Sequence, residues 1–591
     1  MQQAESNGAE GTSDHYGLTA LLLYLALSVL FFGRSLFGHF STSIIGQSAD
    51  PNLYIWCLVW LPYAISHRLN PLFSPLVWAP AGASLAWTTF LPLVALVAWP
   101  IIATIGPVAT YNVLCLLAPA LAGWATFILC RYITNRYWAS LVGGYIFAFS
   151  PYLVCQMTSH LVLILVCPIP LLVYLVLRRV NGDSNSRAFI ILFALVLVTQ
   201  FLIDAEYAAM TVIFGAITML TAIALAPAEM RTRLHAALQD LRSACVLAGV
   251  ALSPYFYFMI AFPVRQGPLY TPETFSTDLL NFVVPTPANL WGTLHGFETI
   301  SAKFRGNIAE ATGYLGPGLI LIAFEFACGH WREFRGRLLT GLLVIMCVAS
   351  MGARMHIAGA GHYALPWKLA QGLPLIDKAL PGRFMMYAFL DLSIIVALWL
   401  SAAPPRSLDR PAIAILSLML ILPNLNPRFW VSPAEVPDFF SKGLYRQYLR
   451  PGEVVMSLPK SSGSNNLLWQ AQTGMYFRLT DGYLGPDPPG SLSWQRSGSA
   501  LSVFLTEHSV STIIVSDRLW KCDRFEGTPS WKLVHKPTIL WQLYLSSLNV
   551  EPLRIGGLLI YKVPPKLLAR SGDALQAGSL DRSPARRADA R

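Results

Sequence analysis

The sequence predicts a polytopic α-helical membrane protein that ends in a soluble α/β domain. Three observations carry that reading: a sparse charge content, eleven apolar segments of near-spanning length, and a change of composition at about residue 430. Of the 591 residues, 54 % are hydrophobic and 12 % are charged, with a mean hydropathy of +0.51. Domains covered by water carry about 25 % charged residues, so much of this surface faces something else. Disorder as the main state, coiled coil, collagen and a disulfide-built secreted module are excluded. The net charge of +11 is then a topology signal and not a nucleic-acid footprint.

The elements follow in chain order. Residues 1–16 are polar, with Glu5, Glu10 and Asp14 and no Lys or Arg. That is no signal-peptide n-region, so the apolar run behind it stays as an anchor and 1–16 is expected in the cytoplasm. Spans of about 17 to 25 apolar residues cross a bilayer. Segments close to this lie at about 17–33, 108–129, 138–157, 161–177, 188–203, 207–226, 243–262, 312–328, 338–351, 384–402 and 411–424. Two further apolar stretches, 53–67 with Pro62 inside and 89–105 with Pro92 and Pro100, are read as interfacial or re-entrant helices on the outer face.

Orientation follows from the basic residues. Arg131, Arg136, Arg178, Arg179, Arg187, Arg231, Arg233, Arg242, Arg332, Arg335, Arg337, Arg406 and Arg410 crowd one set of short loops. The opposite, much longer loops are poorer in Lys and Arg, so the arginine-rich loops are assigned to the cytoplasm. The N-terminus is then inside and the C-terminus outside. Arg34 beside the first span is the one local disagreement. Within the transmembrane domain, 17–429, the external loops are 34–107 and 263–311. From about 430, GEVVMSLP (452–459), STIIVSD (511–517) and GLLIYKV (557–563) read as short buried strands between Gly/Pro/Ser-rich turns. They define a periplasmic α/β domain over 430–566, followed by a disordered tail, 567–591. Of the nine cysteines only Cys522 lies in this part, so it holds no internal disulfide, and no CxxC or Cys/His cluster points to zinc.

Ionisable residues near a membrane are costly and mark function by default. Asp50, in Gly46-Gln47-Ser48-Ala49-Asp50-Pro51, reads as a helix N-cap ahead of Pro, as a catalytic carboxylate, or as both. Asp204 and Glu206, in Phe201-Leu202-Ile203-Asp204-Ala205-Glu206-Tyr207, face the same side as Asp50. In a tight connection they could hold one cation; on a helix they point about 200° apart and cannot. His160 closes the outer turn Gln156-Met157-Thr158-Ser159-His160, as a structural residue or as part of a site. Glu310 opens a span from outside, where the helix dipole favours an acid and a site would also place one. Lys303, Arg305 and Arg383 lie on the same side, either snorkelling to headgroups or binding a phosphate leaving group. No Walker loop, GxGxxG, GxSxG or zinc-helix motif is present.

The first span, the long outer loop with an early Asp, the many spans and the C-terminal outer domain resemble the GT-C superfamily of polyprenyl-phosphate-dependent membrane glycosyltransferases. The likeness rests on SADPNLYIW, NPLFSP, ASLVGGYIFAFSPY and QFLIDAEYA between Asp50 and Glu206. It is to an uncharacterised bacterial branch, distantly similar to protein O-mannosyltransferases and aminoarabinose transferases. The resemblance implies two interfacial helices before the second span, a sugar donor on a polyprenyl phosphate, and transfer with inversion. It implies Asp50 as the base, and Asp204 with Glu206 as an acidic pair that in some members binds a divalent cation (Mg or Mn). A metal or Arg383 would then stabilise the departing phosphate. Asp50 stands without the adjacent second acid of many mannosyltransferases, and no WWDYG sequence exists, so metal dependence stays open and whole-glycan transfer to Asn is not expected.

The function expected is a multi-pass bacterial inner-membrane glycosyltransferase. It moves one hexosyl or pentosyl group from a lipid carrier to a glycan, lipid or protein acceptor at the periplasmic face, with no nucleic-acid partner. Its rivals are a transporter or lipid flippase, which would place charges deep within spans, and a catalytically inactive scaffold for cell-envelope glycan assembly.

Overall fold

The computed structural model describes residues 2–262, 272–369, 379–404, 408–460, 463–484, 498–523, 530–536 and 538–564. The expected tail, 567–591, lies outside them. The chain forms two compact units that are each discontinuous in sequence. One comprises Met1–Tyr54, Thr89–Ala434 and Cys522–Lys532; the other comprises Ile55–Thr88, Glu435–Lys521 and Leu533–Arg591.

The first unit is helical and apolar. Among the described residues, seven helices are long and apolar enough to cross a membrane: His15–Leu36, Pro107–Thr134, Tyr137–Gln156, Leu161–Asn181, Ser186–Ile203, Ala205–Leu225 and Pro381–Ser401. The pair Ala228–Ala251 and Ser253–Ala261, bent by 62°, makes an eighth if it counts as one span. The chain is thus a polytopic helical membrane protein. The other three segments form helices of 15, 17 and 12 residues, Gly316–His330, Phe334–Ser350 and Asp409–Leu420. At 1.5 Å per residue these rise about 18 to 26 Å, the 17-residue helix at the lower end of spanning length and the other two shorter. They still run alternately between the same two ends. Thr277 N donates to Ser350 O, and Gly46 N to Trp430 O, which returns the chain after each of the last two to the end that holds Asp50.

Local chemistry explains the breaks. Ser150 caps Pro151–Gln156 by accepting from Leu153 N, so the span 137–156 is two helices in line. Asn185 caps Ser186–Ile203 in the same way, accepting from Ala188 N. Phe189, Phe193 and Leu197 recur at helical spacing and pack with Leu172, Leu175, Ala244 and Ala248 into one core. Most of the stretches 53–67 and 89–105 is helical, in Asp50–Ser66 and Pro92–Ile105.

The second unit holds a five-stranded sheet in the order 553–555, 558–562, 512–515, 454–458, 478–479. Its three central strands are the three expected. Val454–Leu458 pairs in parallel with Thr512–Val515, which pairs antiparallel with Leu558–Lys562. Met456, Leu458, Ile513 and Val515 bury one face against Leu501, Phe504, Leu505 and Leu545. Residues 55–88 belong here too. Trp56 Nε1 donates to Gln470 Oε1 (2.6 Å), and Leu76 and Ala79 exchange backbone hydrogen bonds with Leu479. The strand Val431–Pro433 instead pairs with Ser43–Ile45 in the helical unit.

Candidate active site

The site candidates collect at one end of the helical unit because successive helices alternate arginine-bearing and acid-bearing turns. Helix Tyr137–Gln156 starts after Arg136 and ends at the His160 turn. The next span returns to Arg178 and Arg179, and Ser186–Ile203 then runs from Arg187 to Asp204.

Asp50 is placed by the loop before it. Asn112 accepts from Ile45 N (2.9 Å) and donates to Phe40 O and Ser43 O. Gln47 N then donates to Thr158 O (2.7 Å). Gly46 makes the approach possible: its φ is +121°, and a Cβ there would stand 3.1 Å from Thr158 O and 2.9 Å from Pro51 Cγ. Helix Asp50–Ser66 starts at the carboxylate itself, and Ser48 Oγ donates to Asp50 Oδ2 (3.0 Å). The result is a pair between Asp50 Oδ2 and His160 Nε2 at 3.7 Å, both side chains mostly buried.

His160 leads on to a second acid. Its Nδ1 lies 2.5 Å from Gln156 Oε1, while Gln156 Nε2 donates to Glu310 Oε2 (3.3 Å). An ionised carboxylate only accepts, so the amide nitrogen faces Glu310 and the amide oxygen faces the imidazole. Nδ1 therefore carries the proton, and Nε2 faces Asp50. Glu310 is 4 % exposed. Burial alone would raise its carboxyl, but the Arg383 guanidinium, the neighbouring His160 and the hydrogen bonds from Arg383 and Gln156 outweigh it. The group is held below the usual carboxylate range.

Arg383 joins two acids. Nη2 donates to Glu310 Oε1 at 2.8 Å and Nη1 to Glu206 Oε2 at 2.6 Å. Gly382 brings the backbone close enough, since a Cβ there would meet Glu310 O and Phe275 O at 3.1 Å. Thr312 Oγ1 also donates to Gly382 O (2.9 Å). One chain of contacts thus runs Asp50–His160–Gln156–Glu310–Arg383–Glu206, from five distant segments.

Asp204 sits beside this chain. It is the single non-helical residue between two spans (φ −154°, ψ 116°), and its side chain caps the second by accepting from Tyr207 N at 2.7 Å. Burial and the nearby Glu206 charge push its carboxyl up to about 7. The expected metal pair does not fit. One oxygen of Asp204 is held by the backbone, and Glu206 already pairs with a guanidinium that would repel a second cation. Among the described residues no group of three or more His, Cys, Asp or Glu could hold a metal.

Lys303 and Arg305 are not joined to the chain of contacts among the described residues. Arg305 Nε donates to Gly359 O (3.0 Å), and Lys303 follows the short helix His295–Ser301. Gln156 is the residue that sequence reasoning missed. The signal was present, as a lone amide in an apolar span four residues before His160.

Comparison with solved structures identifies the architecture. The chain superposes on the mycobacterial arabinofuranosyltransferase AftD with a TM-score of 0.54 at 14 % identity, over 93 % of this chain and 41 % of that one. It therefore spans less than half of that enzyme. Further similarities are to the oligosaccharyltransferase of Archaeoglobus fulgidus (TM-score 0.47, 12 % identity, 84 % of this chain and 68 % of that one). ArnT from Cupriavidus metallidurans, bound to undecaprenyl phosphate, is also similar (TM-score 0.41, 10 % identity, 95 % and 99 %). The GT-C resemblance read from the sequence holds at the level of fold. No curated protein matches the chain. A family model does match, over residues 21–423, and the chain belongs to the family described as domain of unknown function DUF6311.

Proposed function

We propose that this chain is a membrane glycosyltransferase that moves one sugar from a polyprenyl-phosphate donor to an acceptor hydroxyl, with inversion, at the periplasmic face of the bacterial inner membrane. The observation that carries the reading is the buried chain of contacts from Asp50 to Glu206, all at the ends of spans and opposite the arginine-rich ends. An apolar donor and a water-borne acceptor meet at such a boundary, whereas a transport pathway would want its charges along the spans.

In this reading Asp50 takes the proton of the acceptor hydroxyl as that oxygen attacks the anomeric carbon. The bond from that carbon to the donor phosphate breaks with its electron pair leaving on the phosphate. His160, its ring oriented by the Nδ1 bond to Gln156, sets its Nε2 edge against the Asp50 carboxylate. Arg383 meets the departing phosphate from its Glu206 side. Glu206 is the partner with 36 % of its side chain exposed, against 2 % for Glu310, and is the one a phosphate would displace. Lys303 and Arg305 would act further out, toward the lipid headgroup region. The second unit is assigned to acceptor binding.

The test is transfer in membranes supplied with lipid-linked sugars. Asp50→Asn should lower the rate by about 10²–10⁴-fold, the usual contribution of a general base, while the protein stays folded. Unchanged transfer by folded Asp50→Asn protein ends the reading of Asp50 as base.

A further inference from the structure

Buried hydrogen-bonding groups are almost always paired, so those without partners need an explanation. Beside the break at Asp204 three residues with no partner for such groups among the described residues fall within eight positions. Gln200 is fully buried, and neither its Oε1 nor its Nε2 has a partner. Tyr207 is fully buried with its hydroxyl unpartnered. Glu206 gives Oε2 to Arg383 and leaves Oε1 buried without a partner. Tyr207 follows Glu206, the last member of the contact chain, in the first turn of helix Ala205–Leu225. Asp204 holds the region in register, its backbone N donating to Gln200 O (2.8 Å) and its carboxylate accepting from Tyr207 N.

The inventory of unpartnered atoms selects a ligand class. Two of them, Gln200 Oε1 and Glu206 Oε1, can only accept. One, Gln200 Nε2, can only donate, and the Tyr207 hydroxyl does both. An ionised phosphate carries no donor and would leave both acceptors unmet. A sugar ring carries several adjacent hydroxyl groups, each donor and acceptor at once, and meets all four. We propose that Gln200, Glu206 and Tyr207 form the subsite that holds the hydroxyl groups of the transferred sugar, next to the guanidinium that receives its phosphate. This rests on the donor reading given above and adds to it the residues that distinguish a sugar-bearing carrier from a bare one.

The experiment measures binding of four probes to the purified full-length protein in lipid nanodiscs: decaprenyl phosphate, and decaprenyl phosphate bearing glucose, mannose or arabinose. The wild type should hold at least one sugar-bearing lipid about tenfold more tightly than the bare one. Gln200→Leu and Tyr207→Phe should each reduce that preference by about fivefold and leave the affinity for bare decaprenyl phosphate unchanged. Tyr207→Phe keeps the ring and stands alone if Gln200→Leu does not fold. A wild type that binds bare and sugar-bearing lipids equally, or variants that retain the full preference, overturns the subsite and leaves these groups to water. Failure of the wild type to bind any of the four lipids is a different result, which removes the donor reading and this inference together.

Discussion

At the arginine-bearing ends of the helices, charges stay wet and mostly pair with neighbours close in sequence. Arg233 meets Glu229 one turn away, with both side chains half exposed or more, and Arg178 donates to the carbonyl of Asp183 five residues on. Arg179 with Asp240 is the more enclosed exception. At the opposite ends the partners are far apart in sequence and buried: Gln156 with Glu310, Arg383 with Glu310, and Arg383 with Glu206 are separated by 154, 73 and 177 residues. Wet local pairs contribute tenths of a kcal/mol. Burying several ions together costs more than well-packed apolar side chains would, so the acid end carries a burden that stability alone does not explain. The proposed polar ligand would explain it.

The largest test of this contrast removes the cation common to two acids. Arg383→Met leaves Glu310 buried without its counter-charge and should destabilise the protein by about 3–5 kcal/mol, read as a lower midpoint of thermal or denaturant unfolding in detergent. Adding Glu310→Gln to that variant should recover part of the loss, since the stranded charge is then gone. Equal stability of Arg383→Met and the wild type would mean the acid end is as permissive as the other.

The same contrast shows what was legible in the sequence. Spans, their alternation and the three central strands rest on local periodicity and on where arginines fall, and both are written in short windows. Asp50, His160, Glu310 and Arg383 stood out as rare ionisable residues at span ends. That they touch one another did not, because each contact closes a loop of tens to hundreds of residues. Residues 55–88 were assigned to the transmembrane domain for the same reason. Their place with the second unit is set by Trp56 with Gln470 and by Leu76 and Ala79 with Leu479, about 400 residues on. Asp204 and Glu206 looked like a cation pair because D-x-E spacing says nothing about a one-residue helix break. The break turns Asp204 into a cap and sends Glu206 to Arg383.

Asp204 makes the acid end sensitive to pH with a definite sign. Its folded carboxyl lies at about 7 against an ordinary value of 3.8. The folded state therefore holds a proton that the unfolded state has lost between those values. The contribution is fully present below about pH 4 and is lost as the pH rises to about 7. Asp204→Asn keeps a side-chain oxygen for Tyr207 N and carries no charge. The unfolding midpoint of the wild type should fall between pH 5 and pH 8 by more than that of Asp204→Asn, and parallel profiles would remove Asp204 as the cause. Glu310 works in the opposite direction, its contribution being lost as the pH falls through the carboxylate range.

The smallest expected effect is the control at the other end. Arg233→Ala removes one exposed partner of a pair one helical turn apart, and should change stability by less than about 0.5 kcal/mol with no effect on sugar transfer. On the topology expected from the sequence, its role is its charge relative to the bilayer, which one substitution among thirteen arginines barely alters. A loss of transfer in Arg233→Ala as large as that in Asp50→Asn would break the comparison itself. The two ends would then be functionally coupled across the membrane, and the site could not be confined to the buried chain of contacts at the acid end.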